Sequence, residues 1–268
     1  MKKLTTLTIK NHKLQRSKKS LQMLTCYDFQ SAQMLNETEV DFLLVGDSLG
    51  NVMLGYETTV PVKLDEMKVF SAAVKRGAPN KFIVADLPFG SYSTIEQGIQ
   101  SATELFQYSN VESIKLEGAF PYQLELIERL TQIGIPVMGH IGLTPQSVHE
   151  LGGYYVHGKD EESANKLLKA ALDLQNAGVF AVVLECVKED IATLITNKLS
   201  IPTIGIGAGH KTDGQVLVLN DLLQMGPNKP PKFCTPIANL FETKKELIST
   251  YLLKNQETAK NNVQPSVH

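Results

Sequence analysis

Four acidic side chains in the sequence stand at or just beyond the ends of apolar runs. The runs lie at residues 42–45, 82–85, 113–116 and 181–184, and the acids that follow them are Asp47, Asp86, Glu117 and Glu185. Continuous apolar runs are typical of parallel strands that are covered on both faces. Because the carboxyl ends of such strands meet at one edge, we expect the four carboxylates to converge. Clustered carboxylates need a cation or a shared proton, so the pattern predicts a metal site or acid–base chemistry.

The first two acids are the strongest candidates for metal ligands. Asp47 and Asp86 follow successive apolar runs and could supply two hard oxygen ligands to one Mg²⁺. Glu117 could be a third ligand or could act through a bound water. For any single acid, a cap on the following helix is an equally good interpretation. Four acids in equivalent positions favour the metal site.

Three further polar residues could take part in the chemistry. Lys115 precedes Glu117 by two residues and therefore points to the same side of its strand, where it could hold an anionic ligand or form a structural ion pair. Glu185 has apolar neighbours, which suits it to act as a general base. His140 lies at the end of another apolar run and could contact a substrate or be a structural histidine.

The elements that must position these residues alternate regularly. Strands are predicted at residues 21–26, 42–47, 81–86, 113–117, 136–141, 180–185 and 202–207, with an eighth at 232–235 around Phe233. Helical periodicity lies between them, with the caps Asp28 and Thr94 at two helix starts and Gly178 at the end of a helix over residues 161–177. Regular alternation predicts a parallel sheet with crossover helices, and this number of strands favours a closed (β/α)₈ TIM barrel.

A glycine-rich turn follows the seventh predicted strand. Gly205, Gly207 and Gly209 form GxGxG late in the chain, whereas an open dinucleotide-binding sheet would have GxGxxG after its first strand. Many barrels bind phosphate at this position, but glycines are also needed simply to turn the chain.

Composition excludes several classes of protein. A formal net charge of −2 gives no reason to expect nucleic acid or an acidic membrane surface as a partner. No apolar run approaches the roughly 20 residues that cross a bilayer. The cysteines lack disulfide or zinc spacing, so we interpret Cys26, Cys186 and Cys234 as small buried residues in a reducing compartment.

The sequence predicts one domain and a tail. The barrel and an N-terminal helical segment would occupy residues 1–254, and the polar residues 255–268 predict a disordered tail. The first twenty residues are basic and contain no acid, as in a transit peptide. They contain little arginine or serine and lead directly into the first strand, which favours a solvated helix.

Seven motifs occur in one register along the chain. They are Val-Gly-Asp-Ser-Leu-Gly at 45–50, Arg-Gly-Ala-Pro-Asn at 76–80, Ala-Asp-Leu-Pro-Phe at 85–89, Gly-His-Ile-Gly-Leu-Thr-Pro-Gln-Ser at 139–147, Leu-Glu-Cys at 184–186, Gly-Ile-Gly-Ala-Gly at 205–209 and Thr-Asp-Gly-Gln-Val-Leu-Val at 212–218. Together they closely resemble the ketopantoate hydroxymethyltransferase (3-methyl-2-oxobutanoate hydroxymethyltransferase) family. The resemblance extends over nearly the whole chain. Departures are Ala119, where some members have glycine, and the loop Tyr-Tyr-Val-His at 154–157.

The resemblance implies a barrel of the phosphoenolpyruvate/pyruvate superfamily that acts in pantothenate and coenzyme A biosynthesis. The implied reaction transfers a hydroxymethyl group from 5,10-methylenetetrahydrofolate to 3-methyl-2-oxobutanoate (2-oxoisovalerate), giving 2-dehydropantoate and tetrahydrofolate. The resemblance also implies a homo-oligomer, usually a decamer, and we expect a cytoplasmic enzyme without a nucleic-acid or membrane partner.

The resemblance also implies roles for individual residues. Asp47, Asp86 and Glu117 would bind one Mg²⁺ per subunit, and Glu185 would accept a proton in a mechanism through a magnesium-bound enolate. The residues expected to contact the oxo acid are Asp47, Ser48, Asp86, Lys115 and His140.

Two other functions compete with this interpretation. A lyase or mutase of the same superfamily would use the same metal-binding acids, but those enzymes commonly carry a reactive cysteine in a mobile loop, and the sequence offers no such loop. A non-catalytic barrel that serves in binding or assembly is the second alternative. It is disfavoured because Lys115, Glu117 and Glu185 at strand ends would serve no packing purpose.

Overall fold

Eight short apolar segments pair in chain order to form a closed parallel barrel, which confirms the predicted (β/α)₈ class. The structure, a computed structural model, describes residues 3–14 and 19–261. The strands are β1 Leu21–Thr25, β2 Phe42–Val45, β3 Phe82–Asp86, β4 Ser113–Glu117, β5 Val137–Gly142, β6 Ala181–Glu185, β7 Thr203–Ile206 and β8 Gly214–Leu217. Pairing of β1 with β8 closes the barrel.

Helices connect most of the strands. They are α1 Thr6–Lys10, α2 Phe29–Asn36, α3 Leu49–Val52, α4 Leu64–Gly77, α5 Ile95–Ser109, α6 Pro121–Gln132, α7 Val148–Leu151, α8 Glu161–Ala177, α9 Glu189–Lys198, α10 Leu219–Leu222 and α11 Leu240–Asn261, with 3₁₀ turns at His12–Leu14 and Pro145–Ser147. The predicted caps are confirmed. The Asp28 carboxylate accepts from the backbone of α2, Thr94 does the same for α5, and Gly178 ends α8 with a φ of 104°.

The prediction of the eighth strand was wrong. Residues 232–235 contain a turn rather than a strand, and Phe233 is exposed. The barrel closes instead through β8, whose first residue pairs with Leu21 of β1 and with Ile204 of β7. A Cβ atom at Gly214 would lie 2.6 Å from the Leu21 carbonyl oxygen, so only glycine permits this close approach. β8 has only four residues and begins with glycine, so it lacks the apolar run by which the other strands were predicted.

Aromatic and aliphatic side chains fill the end of the barrel where the strands begin. Phe82 makes edge-to-face contacts with Phe42 and Phe180, with ring centroids 5.7 and 5.6 Å apart. Ile9 of α1 is 1% exposed and belongs to the same apolar cluster. Ile9 is the one buried residue of α1, so the helix expected to be solvated is exposed or half-buried except for this side chain in the barrel core. The predicted polar site residues Asp86, Glu117 and Glu185 lie at the opposite end, where the strands finish.

Two compact units divide the chain, Met1–Val218 and Leu219–His268. The barrel lies in the first unit, and α10 and α11 lie in the second. The predicted domain limit at residue 254 falls inside α11. Residues 255–261, predicted as disordered, continue that helix, and residues 262–268 of the predicted tail lie outside the described residues. In the described part of the chain, no helix is both long enough and apolar enough to span a membrane.

Candidate active site

Strand register brings the predicted site residues to one end of the barrel. Asp86, Glu117 and Glu185 are the last residues of β3, β4 and β6, and Asp47 lies two residues beyond β2. A cavity of about 100 Å³ opens between them. It is lined by Asp47, Ser48, Asp86, Lys115, Glu117, His140 and Glu185, together with Thr25, Leu44, Pro145, Val183, Ile206, Val216 and Val218. The structure therefore places every predicted site residue around one small cavity.

The turn after β2 presents two of these residues. The backbone N–H of Asp47 donates to Asp86 Oδ2 at 3.2 Å, which ties the end of β2 to the end of β3. The Ser48 hydroxyl lies 2.7 Å from the hydroxyl of Tyr27, a buried residue that follows β1. Burial raises the pKa of Tyr27, so its phenol stays protonated and can hydrogen-bond to Ser48.

A buried ion pair joins the neighbouring strands β3 and β4. The register pairs Asp86 with Lys115, and Lys115 Nζ lies 3.1 Å from Asp86 Oδ2. Burial alone would lower the pKa of Lys115, but the surrounding carboxylates outweigh it and raise the pKa. The ammonium therefore remains charged inside the barrel. Lys115 thus forms the structural ion pair that sequence reasoning left open, in a position that also faces the cavity.

His140 lies between the two remaining acids. Its Nδ1 is 3.4 Å from Glu117 Oε1 and 3.3 Å from Lys115 Nζ, and its Nε2 is 3.3 Å from Glu185 Oε2. The Nε2 contact is close in distance, but its angles fall short of a hydrogen bond. Burial and the lysine charge would lower the pKa of His140, whereas its two carboxylate partners outweigh them and raise the pKa to about 9. The ring therefore lies between Glu117 and Glu185, within 3.4 Å of both carboxylates.

Glu185 differs from the other acids in its exposure. Its side chain is 18% exposed, against 3% for Asp86 and 4% for Glu117. The next residue, Cys186, has a φ of 49°, and its backbone N–H donates to the carbonyl of Ile206. A left-handed residue at this point turns the chain sharply away from the strand. Glu185 is thereby left at the rim of the cavity, where a substrate can reach it.

Sequence reasoning missed two residues that organise the site. Gln146, in the 3₁₀ turn after β5, donates from Nε2 to Asp47 Oδ2 at 2.8 Å and from its backbone N–H to Glu117 Oε2 at 3.1 Å. Its Oε1 accepts a hydrogen bond from the buried phenol of Tyr92. Gln146 stands in one of the motifs that carried the family resemblance, which was the one signal that could have identified it.

The buried acids match what a divalent cation requires. Burial, together with repulsion from the other acids, raises the pKa of Asp47, and burial raises that of Asp86 against the opposing effect of Lys115. Asp86 Oδ1 is buried without a hydrogen-bond partner. A cation would neutralise this repulsion and satisfy the unpaired oxygen. Hard carboxylate oxygens in a small buried cavity therefore fit Mg²⁺.

The three acids do not form a ready-made metal cluster. Within residues 3–14 and 19–261, no group of three or more His, Cys, Asp or Glu side chains could hold a metal ion as it stands. Other groups already contact oxygens of all three acids. The side chains of Lys115 and Gln146 contact Asp86 and Asp47, and Glu117 is contacted by the backbone N–H of Gln146 and the ring of His140. Both oxygens of Glu117 already have neighbours, so Asp47 and Asp86 would be the residues to hold a metal ion directly, and Glu117 could act through a bound water.

The glycine-rich turn after β7 does not resemble a phosphate site. A Cβ atom at Gly209 would lie 2.3 Å from the side chain of Glu189, and the backbone N–H of His210 donates to the Glu189 carboxylate at 3.4 Å. A phosphate would be repelled by this acid. The glycines allow the turn to pack closely against α9, which supports the purely structural interpretation.

Comparison with known proteins identifies the family. The family model for ketopantoate hydroxymethyltransferase matches residues 3–259. A 3-methyl-2-oxobutanoate hydroxymethyltransferase from Leptospira interrogans is 51% identical over 88% of this chain and 89% of its own. Enzymes of the same name from Thermosipho africanus and Geobacillus thermodenitrificans are 51% and 50% identical, covering 88% and 86% of this chain and 89% and 82% of their own.

Solved structures with the same fold are more distant in sequence. A 2,3-dimethylmalate lyase of the PEP mutase/isocitrate lyase superfamily has a TM-score of 0.59 at 14% identity, covering 99% of this chain and 90% of its own. A phosphoenolpyruvate phosphomutase from Streptomyces platensis has a TM-score of 0.61 at 10% identity, covering 98% and 92%. These similarities concern the fold alone. The family model matches nearly the whole chain, and the relatives are about 50% identical to it. The chain therefore belongs to the ketopantoate hydroxymethyltransferase family and is a transferase.

Proposed function

We propose that the chain transfers a hydroxymethyl group from 5,10-methylenetetrahydrofolate to 3-methyl-2-oxobutanoate in pantothenate and coenzyme A biosynthesis. The products would be 2-dehydropantoate and tetrahydrofolate, with water supplying the hydroxyl oxygen. The single observation that carries the proposal is the small cavity in which a buried lysine and an accessible glutamate face the same space. Family membership supports the choice of substrate.

The oxo acid fits the charge and size of the cavity. Lys115 supplies a fixed positive charge for its carboxylate, and the Ser48 hydroxyl can hydrogen-bond to it. Apolar side chains line the rest of the cavity and can pack against the branched carbon chain. They are Leu44, Val183, Ile206, Val216 and Val218. A volume of about 100 Å³ suits a small 2-oxo acid and excludes a much larger one.

Glu185 is the proposed base. Its carboxylate would take the proton from C3 of the oxo acid, leaving an enolate. Water would add to the one-carbon unit as both of its carbon–nitrogen bonds to the folate break. C3 of the enolate would then bond to that carbon, and the oxygen from water would become the new hydroxyl group. His140 Nε2 lies 3.3 Å from Glu185 Oε2, so a charged imidazolium there would attract that carboxylate electrostatically. One Mg²⁺ per subunit, held by Asp47 and Asp86 with Glu117 nearby, would supply Lewis acidity that stabilises negative charge on the keto oxygen.

A defined assay tests the reaction. Purified protein, Mg²⁺, 3-methyl-2-oxobutanoate and 5,10-methylenetetrahydrofolate should yield 2-dehydropantoate, detected by mass spectrometry, in step with tetrahydrofolate. Omission of the folate should abolish the product. Cleavage or rearrangement of the oxo acid without the folate would instead indicate a lyase or mutase, and absence of any turnover would favour a binding or assembly role.

We also propose that the protein is a cytoplasmic homodecamer, on the strength of the family resemblance. Light scattering coupled to gel filtration should give a mass about ten times the 29.5 kDa of one chain. Cell fractionation should recover the protein with cytoplasmic markers. A monomeric mass at micromolar concentration would contradict the assembly, and recovery with membranes would contradict the location.

A further inference from the structure

Gln146 hydrogen-bonds to two of the four strand-end carboxylates, those of Asp47 and Glu117. It is 6% exposed and lies in the 3₁₀ turn that directly follows β5. Its backbone N–H donates to Glu117 Oε2 at 3.1 Å, and its side-chain Nε2 donates to Asp47 Oδ2 at 2.8 Å. The same nitrogen donates to the carbonyl of Leu87, just beyond β3, at 2.9 Å. One residue therefore connects the ends of β2, β3 and β4.

The orientation of the Gln146 amide is fixed by its surroundings. Both N–H bonds of Nε2 are used by acceptors, Asp47 and the Leu87 carbonyl, and a carbonyl could not donate to an amide oxygen in the opposite orientation. On the other side, Oε1 accepts from the hydroxyl of Tyr92, which is itself buried. Rotation of the amide would leave several buried groups without partners, so the amide is held in place.

A neutral donor has an advantage at this position. Gln146 holds one oxygen of Asp47 and one of Glu117, which restricts both carboxylates while adding no positive charge. Lys115, by contrast, neutralises Asp86 and so competes with a cation for it. An amide can orient a carboxylate for metal binding without such competition. A methyl or thioether group here would leave Asp47 free to rotate.

From this geometry we infer that Gln146 is a positioning residue for the metal site, oriented in turn by Tyr92. The inference rests on the proposed function, because it assigns to Gln146 the task of presenting Asp47 and Glu117 to the divalent cation. Gln146 itself is not a ligand in this account. Partners of metal ligands commonly change metal affinity by about 10- to 100-fold when they are removed, and we expect an effect in this range.

The test measures metal binding in the absence of both substrates. Mn²⁺ serves as the probe, and the free ion is quantified by electron paramagnetic resonance in titrations of the full-length protein. Gln146→Met keeps the length of the side chain and removes its hydrogen bonds, so the Kd for Mn²⁺ should rise by about 10- to 100-fold. Tyr92→Phe loosens the amide without touching a carboxylate and should raise the Kd by a smaller factor.

Gln123 provides a matched control. It is also a buried glutamine, and its side chain donates to the backbone carbonyl of Glu117 and accepts from the backbone N–H of Phe120, without contacting a carboxylate. Gln123→Met should therefore lower the melting temperature while leaving the Kd for Mn²⁺ near that of the wild type. Comparison of the two variants separates positioning from general stability.

The outcomes distinguish this inference from the proposed function. If the wild type binds Mn²⁺ and Asp47→Asn loses it, a higher Kd in Gln146→Met but not in Gln123→Met supports the positioning role. An unchanged Kd in Gln146→Met, or an equal rise in both glutamine variants, overturns it and leaves the metal site intact. Absence of Mn²⁺ binding to the wild type would overturn the metal site, and with it this inference.

Discussion

Lys115 Nζ lies 3.1 Å from Asp86 Oδ2 within the barrel, and the two side chains are only 5% and 3% exposed. Each group compensates the buried charge of the other. A divalent cation at the unpaired Asp86 Oδ1 would share this carboxylate with Lys115 and so leave more of the lysine charge for an anionic substrate. This relationship suggests that metal and oxo acid support each other's binding, and that Lys115 serves both the folded state and the substrate.

Loss of the lysine charge should act selectively on one substrate. In Lys115→Ala, the KM for the oxo acid should rise more than the KM for the folate, because the cavity loses its fixed positive charge. The melting temperature of the metal-free variant should also fall, since Asp86 is left buried and unpaired. Steady-state kinetics and calorimetry measure the two effects.

Lys81 is the matched control for this lysine. It is also buried, but it donates to the carbonyls of Thr38 and Val40 near the start of the barrel strands. Lys81→Ala should lower the melting temperature with little change in either KM. If Lys115→Ala changed both KM values equally, Lys115 would be a structural residue alone.

Removal of a carboxylate should separate turnover from stability. Asp47→Asn and Asp86→Asn should each lower Mg²⁺-dependent turnover by at least about tenfold, because each removes a hard ligand. The metal-free Asp47→Asn protein should be at least as stable as the wild type, since burial and the other acids disfavour its charge. Activity titrated against Mg²⁺ and melting temperature measured in chelator give the comparison. Near-normal turnover of both variants at limiting Mg²⁺ would locate the metal elsewhere.

Closure of the barrel through β8 can be tested at Gly214. Added at this position, a Cβ atom would lie 2.6 Å from the Leu21 carbonyl oxygen and 2.7 Å from Ile204 Cδ1. Gly214→Ala should therefore destabilise the protein by about 1–3 kcal/mol, as overpacking commonly does. At Gly226, a Cβ atom would have no neighbour within 4 Å, so Gly226→Ala should change the free energy of unfolding by less than about 0.5 kcal/mol. Equal unfolding midpoints in urea for the two variants would contradict this close approach.

The thiols should be poorly reactive, which bears on the lyase and mutase alternative. Burial raises the pKa of Cys26 to about 12 and that of Cys186 to about 11, the latter with help from the Glu185 charge. Because the thiolate is the nucleophile, only about a thousandth of Cys186 would be reactive at pH 8. Iodoacetamide labelling at pH 8 should therefore be far slower in the folded protein than in urea, and should accelerate toward pH 10. Rapid labelling of folded Cys186 at pH 8 would revive the alternative that uses a cysteine.

Local pattern predicted the fold and the acids well. Asp86, Glu117 and Glu185 could be found because each ends an apolar run, and such runs become barrel strands whose ends must meet. Ile9 could not be assigned to the core, because a short basic helix carries no sign of what it covers. The eighth strand was misplaced because Gly214 has no apolar side chain that would mark a strand. Its role is to allow the Leu21 backbone to approach closely.

The hydrogen-bond network of the site lay beyond sequence reasoning. Gln146 lies 99 residues from Asp47 and 54 from Tyr92, and its contacts depend on the register of three strands. Glutamine and tyrosine have no spacing rule of the kind that marks strand-terminal acids. Their roles follow only when the barrel closes and both side chains lose access to water.

Proton exchange at C3 of 3-methyl-2-oxobutanoate tests the central claim most directly. Enolisation precedes bond formation to the one-carbon unit and so does not need the folate. In deuterated water with Mg²⁺ and the oxo acid, the protein should therefore catalyse exchange of the C3 proton for deuterium without any folate. Proton NMR follows the loss of the C3 signal. Glu185→Gln should lower the exchange rate by roughly 10²-fold or more, the usual contribution of a positioned general base. Glu189 is an acid four residues further on and serves as the control. The Glu189→Gln variant should catalyse the exchange at the wild-type rate. Exchange at the wild-type rate in Glu185→Gln would contradict the account and assign the proton transfer to a group other than Glu185.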